Sequence, residues 1–395
     1  MNILVAPSGF KESLMADAIA ECIEKGVRRI IPDACIHKIP VVDGGEGFAK
    51  ILIEMTGGTM HQVRTTGPVG QPVDSHFGFL GGETVKTAIL EMAATAGLSL
   101  VPRDQRNPML TTTYGLGELI RHALDAGAER ILIGCGDSGT NDGGAGMVQA
   151  LGARLLDKDG KEIRHGAAGL LDLHSIDVSG LDPRLGKVQI DVACNPHVQL
   201  CGSQGVARVF GPQKGATPEQ VEHLDAALTH WGQLIQQFLG KTVIGVAGSG
   251  ASGGLGSGLL GFLNATLHPR YDIIMQYQRV EDILPTMDLV ITAEGAIDFQ
   301  TPKGKVPAEV ARLAKMHGIP VVVLAGTIGK DAGNNYAYGI DAFTTILQTP
   351  CTLEHAILHC ESLVESAAER LLRTIMVGMH MSQRAVLQPN FAQAA

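Results

Sequence analysis

Residues 130–152 read RILIGCGDSGTNDGGAGMVQALG, and this stretch decides the fold class. The apolar run 131–133, after a charged lead-in, predicts a buried strand. Gly134, Gly136, Gly139, Gly143, Gly144 and Gly146 then interleave with Asp137, Ser138, Thr140, Asn141 and Asp142. Met147, Val148, Ala150 and Leu151 follow at helical spacing. A strand that breaks into a polar glycine-rich loop and re-forms as a helix presents backbone N–H groups at the helix N-terminus, which suits an anion such as phosphate. The same glycines also serve a sharp strand-to-helix turn with no ligand. The loop alone leaves both readings open.

Working outward, the 395 residues exceed one ordinary core, so two domains are expected. The 50 glycines cluster at the ends of apolar runs, with no period and no low-complexity block, as loops at strand ends require. A net charge of −9 and 4% aromatic residues argue against a general nucleic-acid binder. The seven cysteines are scattered without a C-x-x-C pair, against a disulfide framework or zinc ribbon. No signal-peptide pattern is read at the N-terminus and no apolar run reaches membrane-spanning length, so the expected location is the cytoplasm.

Residues 2–6 predict a first strand and 13–31 a helix, with Ser13 as a candidate N-cap. Residues 36–42 predict a second strand ending in Asp43-Gly44-Gly45-Glu46-Gly47, before a second helix. This βαβα pattern begins a parallel sheet, whose carboxyl edge is where ligands bind, so Ser8, Lys11, Asp43 and Glu46 are expected on one rim. Residues 63–80 read as hairpins, 85–92 as a strand and 117–126 as a helix feeding the opening stretch. A strand at 188–193 ends in Cys194-Asn195-Pro196-His197. A long helix is expected over 217–239, a third glycine-rich loop at 248–258, and strands at 288–293, 321–324 and 343–347. A final helix is expected over 352–377, with a loose tail beyond.

The ends of the chain are regular βα units and the middle is richer in hairpins and glycine loops. The expected fold is therefore α/β: two α/β domains with mainly parallel sheets, one inserted into the other, with the active site in the interdomain cleft. Residues 1–75 with 285–380 would form a discontinuous Rossmann-like domain, 76–284 the inserted domain, and 381–395 the tail.

Walker A and the protein-kinase motif set are absent. G-x-G-x-x-G occurs at 134–139 and 248–253, but neither match lies in a convincing dinucleotide-binding βαβ unit. His197 suits a general base, since neutral imidazole accepts a proton near pH 7; a structural histidine is the plain alternative. Lys11 is either a solvated lysine or a partner for carboxylate or phosphate. Glu294 and Asp298 could hold Mg²⁺, which needs few protein ligands, or serve as turn acids.

Together the segments resemble the type-1 glycerate kinase family over about residues 2–375. The resemblance is carried by Phe10-Lys11-Glu12-Ser13-Leu14, Asp43-Gly44-Gly45-Glu46-Gly47, Glu91-Met92-Ala93-Ala94 and Asp142-Gly143-Gly144. It continues in Gly211-Pro212-Gln213-Lys214-Gly215, Gly253-Gly254-Leu255-Gly256, Glu294-Gly295, Ile297-Asp298 and Gly304-Lys305. It implies phosphate transfer from ATP to a hydroxyl of D-glycerate, commonly the 2-hydroxyl, and two α/β domains with the site between them. The chain departs from the family pattern in Ser8-Gly9 for the usual Asp-Ser, in Asn195 and His197 for acids, and in Ala296 for an arginine. Asp137 and Asn141 are also unusual occupants of the opening loop.

The resulting expectation is an ATP- and Mg²⁺-dependent kinase of a small hydroxy acid, with a homodimer open. Gly136, Asp137, Ser138, Gly139, Thr140, Asp142 and Gly143 would bind nucleotide. His197 would be the base, acting with Lys11 and Asp298. Ser8, Asp43, Glu46, Asn195, Glu294 and Lys303 would bind the acid, Lys303 replacing the lost arginine's charge. Asp43 and Asp298 would hold Mg²⁺. A kinase of another sugar acid such as a tetronate, an inactive nucleotide-binding paralogue and an NAD-dependent oxidoreductase are the alternatives.

Overall fold

The computed structural model describes residues 1–10, 13–41, 45–302 and 304–387. Its strands, in chain order, are β1 (Asn2–Val5), β2 (Cys35–Lys38), β3 (Thr59–Thr66), β4 (Pro72–Phe79), β5 (Thr87–Glu91), β6 (Arg130–Gly134) and β7 (Arg154–Leu156). They continue with β8 (Ser175–Asp177), β9 (Gln189–Cys194), β10 (Thr266–Pro269), β11 (Leu289–Ile297), β12 (Val321–Ile328) and β13 (Ala342–Thr345). The chain divides into two compact units, one of Met1–Val41 with Gln278–Ala395 and the other of Val42–Tyr277.

The first unit carries a sheet in the order β13-β12-β11-β1-β2, parallel throughout. Its central strands are apolar: Ile3, Leu4, Val5, Val290 and Ile291 are fully buried, as strands covered on both faces must be, whereas the edge strands β2 and β13 are more exposed. Helices Ala16–Arg28 and Cys360–Leu387 pack against each other beside this sheet, burying Ile19, Ile23, Val364 and Ala368.

The second unit carries a sheet in the order β10-β9-β6-β5-β4-β3. β5, β6, β9 and β10 are parallel, and β3 and β4 extend the edge as an antiparallel hairpin. That pairing explains why the hairpin belongs with the later strands, although a boundary near residue 75 was expected. The six-stranded sheet positions the carboxyl ends of β5, β6 and β9 side by side, with Glu91 opposite Gly134 and Gly134 opposite Ala193.

Some local expectations change. The first helix starts at Ala16 with Met15 at the N-cap, not Ser13. Ser13 lies inside a turn closed by Phe10 N–H donating to Leu14 O at 2.8 Å, so the helix forms only after it. The glycine stretch after Ser249 is already helical, Ala251–Leu263, with a kink of left-handed residues at Ser252, Gly253 and Gly254. The final helix is broken at His359 and then runs to Leu387, past Gly378 and into residues expected to be loose. One glycine costs a helix only about 1 kcal/mol, and the Met, Gln, Arg, Ala and Leu that follow are good helix formers.

Candidate active site

The second unit carries a group of candidate residues around the loop after β6. Asp142 is fully buried, and its carboxylate accepts from Thr113 N at 2.8 Å, Thr113 Oγ1 at 3.0 Å, Gly144 N at 3.1 Å and Gly146 N at 3.2 Å. Burial pushes its carboxyl pKa up, against these hydrogen bonds. The anion at the start of helix Ala145–Ala150 is thus the protein's own. Gly143 N donates to Gly253 O at 3.1 Å and Gly139 N to Ala96 O at 2.8 Å. The amides of Gly139, Gly143, Gly144 and Gly146 therefore build the loop. Its partly exposed portion is Gly136 and Asp137.

Behind that portion stands Lys214, which is 2% exposed. Its Nζ donates to Ser138 Oγ at 2.8 Å and to Thr140 O at 2.7 Å. Loss of hydration pushes its pKa down to about 7, with Asp142 opposing the shift. Gly143 O in turn accepts from the indole Nε1 of Trp231 at 3.0 Å. The loop is pinned on both sides before any ligand arrives, the condition for electrostatic preorganisation.

Asp137 has a left-handed backbone, φ 48°, which a short polar residue tolerates. Its carboxylate Oδ2 accepts from Glu46 N at 3.2 Å. Beside it Glu91, 2% exposed at the end of β5, accepts from Gly47 N at 3.2 Å and Ala49 N at 2.8 Å. Burial first, and the charges of Glu46 and Asp137 after it, push the Glu91 carboxyl up to about 7 against those two bonds. The structure thus brings Glu46, expected to bind the acid, against Asp137, expected to bind nucleotide.

The loop after β9 is tied to the same rim. Gly248 N donates to Pro196 O at 3.0 Å and Gly250 N to Val198 O at 3.2 Å. Asn195 Oδ1 accepts from His197 N at 3.0 Å, so this side chain shapes the turn, and His197 is exposed. The G-x-G-x-x-G at 248–253 follows no strand among the described residues, unlike a dinucleotide-binding fingerprint.

The first unit contributes a separate cluster at the ends of β1 and β11. Ser8 Oγ donates to Ala293 O at 2.9 Å. Lys305 Nζ donates to Ala296 O at 2.9 Å and to Asp298 Oδ1 at 3.3 Å, and lies 3.9 Å from Glu294 Oε1. Asp298 Oδ1 also accepts from Gln300 N at 2.8 Å. Lys305, quoted in the sequence only as part of a motif, thus holds the backbone carbonyl of Ala296, the residue that replaces the family's usual arginine. Lys11, Asp43 and Lys303, expected at the site, lie outside the described residues.

Sequence reasoning placed Lys214, Glu91 and Lys305 in motifs but gave none of them a role. All three lie in segments shared with the family, and that was the signal available.

The sequence pattern described as "Glycerate kinase family" matches residues 3–376. The chain belongs to the glycerate kinase family. It is 47% identical to a glycerate kinase of Bacillus subtilis (strain 168), over 96% of this chain and 99% of that protein. It is 44% identical to a glycerate 2-kinase of Escherichia coli (strain K12), again over 96% and 99%. A crystal structure of a protein described as a candidate glycerate kinase 2 from Salmonella typhimurium LT2 superposes with a TM-score of 0.76 at 46% identity, covering 96% of this chain and 99% of that one. A member of the glycerate kinase family is a kinase, and the α/β architecture with mainly parallel sheets agrees with it. Among the described residues, no helix is long and apolar enough to cross a membrane.

Proposed function

We propose that the protein transfers the γ-phosphoryl group of ATP to the 2-hydroxyl of D-glycerate. The observation that carries this reading is the bond from Glu46 N to Asp137 Oδ2, which joins the turn assigned to the acid to the loop assigned to the nucleotide. The glycerate 2-kinase relative supports the choice of hydroxyl.

In phosphoryl transfer the protein mostly positions groups and neutralises charge. Gly136, Asp137 and Ser138 face the nucleotide phosphates, and Gly139, Thr140, Asp142 and Gly143 hold that face in shape, with Lys214 behind it. Lys305 binds the acid's carboxylate or the transferred phosphoryl group. Ser8, Glu46, Asn195 and Glu294 contact the acid, as do Lys11, Asp43 and Lys303. His197, exposed on its turn, accepts the hydroxyl proton.

Mg²⁺ prefers hard oxygen ligands and uses one or two carboxylates beside substrate phosphates. Asp298 and Glu294, partly exposed and sharing a single lysine, fit that donor set. Asp298, with Asp43, would hold the ion, and Mg²⁺ would neutralise phosphate charge there. Among the described residues no cluster of three or more ligating groups forms a dedicated cage, which this ion does not require.

The changed residues Ser8, Asn195, His197 and Ala296 favour a second reading, a kinase of another sugar acid such as a tetronate. A coupled ADP-release assay over D-glycerate, L-glycerate and tetronates, with NMR of the product, separates the two. Preferred turnover of D-glycerate with a 2-phosphoglycerate product upholds the first reading. Preference for a tetronate overturns it, and nucleotide binding with no ADP release on any acid points to the inactive paralogue.

A further inference from the structure

We propose that Glu91 is a positioning residue for the acceptor acid, acting through the turn that carries Glu46. This rests on the glycerate kinase reading above and assigns one of its residues a task.

The geometry is specific. Helix Phe48–Thr56 begins without any side-chain cap from its own segment, its N-cap being Gly47 in a left-handed conformation, φ 88°. The N-terminal N–H groups are instead taken by side chains distant in sequence. Glu91 uses both oxygens, one on Gly47 N and one on Ala49 N, and Asp137 takes Glu46 N. Three amides of the turn and the helix start, those of Glu46, Gly47 and Ala49, are thus held by two carboxylates, one at the end of β5 and one in the loop after β6. Charge-assisted bonds of this kind are about twice as strong as neutral ones, and a carboxylate suits a helix N-terminus.

Glu91 is 2% exposed, and an apolar residue there would avoid the desolvation cost but leave the amides of Gly47 and Ala49 without their acceptor. A buried carboxylate is expensive, and the left-handed Gly47 offers no extended N-cap position for a serine or aspartate, so what Glu91 holds is the shape of the turn itself. Holding the turn in one orientation from below leaves its outer face, with the exposed Glu46, open to a ligand.

The groups that face Glu91 are His76 on β4, with Nε2 at 3.6 Å, Glu46 on the turn and Asp137 on the glycine loop. Burial pushes the His76 pKa down, so this ring does not supply a positive partner at neutral pH. Glu91 therefore titrates near pH 7. Below that pH one oxygen becomes a hydroxyl and ceases to accept. The turn is then held by fewer bonds, and affinity for the acid falls more than affinity for ATP, whose loop feels the change only through the Glu46–Asp137 bond and through Lys214.

The test measures kcat and both KM values from pH 5.5 to 9 for wild type, Glu91→Gln, Glu91→Asp and His76→Phe, with melting temperatures. Wild type is expected to show a KM for the acid that rises about tenfold as pH falls through 7, with a smaller rise in the KM for ATP. Glu91→Gln should have the raised KM at every pH and no acid limb. Glu91→Asp should keep the limb with a smaller rise, and His76→Phe should leave the limb in place. A Glu91→Gln enzyme with wild-type KM and an unchanged limb overturns the proposal. So does a lower melting temperature with both KM values unmoved, which marks a purely structural role. If Glu91→Gln does not fold, Glu91→Asp decides: wild-type KM and limb overturn the proposal. A wild type inactive on D-glycerate sinks the function reading instead, and the same series is then run on the acid that the panel selects.

Discussion

Asp137 and Glu46, 91 positions apart, are joined by a hydrogen bond from the Glu46 backbone N–H to the Asp137 carboxylate at 3.2 Å. The bond couples two loops to which different ligands are assigned. Replacing Asp137 by Asn keeps a residue that tolerates the left-handed backbone and keeps an acceptor, but removes its charge. We expect both KM values, for ATP and for the acid, to rise by about three- to tenfold, with kcat little changed. Steady-state kinetics on both substrates checks this, and a rise in one KM alone would show that the loops act separately.

Lys214 is buried on the far side of the same loop, and its pKa is pushed down to about 7. The sign follows from proton counting. Between pH 7 and the ordinary lysine value of 10.5, the unfolded chain holds this proton and the folded one does not, so stability from this group rises with pH and is lost as pH falls through 7. Wild type should therefore gain denaturant resistance across that window relative to Lys214→Met. Urea midpoints at pH 6, 8 and 10 test the difference in slope. The variant should also bind ATP about tenfold more weakly, since Ser138 Oγ and Thr140 O lose their common donor.

How far the sequence revealed this site depends on where each residue finds its partners. β6 was legible because Ile131, Leu132 and Ile133 are contiguous and all buried, and the loop after it because glycine and small polar residues mark such turns. Asp142 read as a nucleotide-binding residue of the loop, whereas Thr113, 29 positions earlier, encloses it. Lys214 read as a motif lysine, since its partners Ser138 and Thr140 lie 76 and 74 positions away. Glu91 was hidden for the same reason: the amides it holds belong to a helix that precedes it by more than 40 residues. Local pattern fixes elements, while burial of a charge is decided by segments that meet only in the folded chain.

Trp231 is the chain's single tryptophan and bonds to Gly143 O at 3.0 Å and Ser257 Oγ at 3.1 Å. Its emission therefore reports on the loop proposed to bind nucleotide. Addition of ATP with Mg²⁺ should shift or quench it saturably, at the concentration where kinetics gives half-saturation, and the acid alone should not. An unchanged emission spectrum at saturating ATP would separate this loop from the nucleotide.

Lys305 holds Ala296 O and Asp298 within one small cluster, Ala296 being the residue that stands for the family's usual arginine. A lysine positioned at developing phosphoryl charge should matter to kcat, not only to binding. Lys305→Met is expected to lower kcat by about a hundredfold or more with a small change in melting temperature, and Lys305→Arg to recover part of it. A Lys305→Met enzyme with normal kcat and a raised KM for the acid would confine this lysine to carboxylate binding.

The two glycine-rich segments meet backbone to backbone at Gly253, and this contact explains that glycine without reference to any ligand. Its φ is +73°, and a Cβ there would lie 1.9 Å from Thr140 O and 2.9 Å from the Asn141 Cα. Both the backbone conformation and the space exclude a side chain, and the obstructing atoms are main chain, which cannot swing away as a side-chain tip would. Gly253→Ala should cost about 2–4 kcal/mol. Gly186→Ala supplies the contrast, because its Cβ would meet nothing within 4 Å and its φ is not positive. That change should be neutral within about 0.5 kcal/mol. Urea unfolding of both variants checks the pair. Since Thr140 O is also an acceptor of Lys214, Gly253→Ala should weaken ATP binding as well, by displacing the carbonyl that the lysine holds.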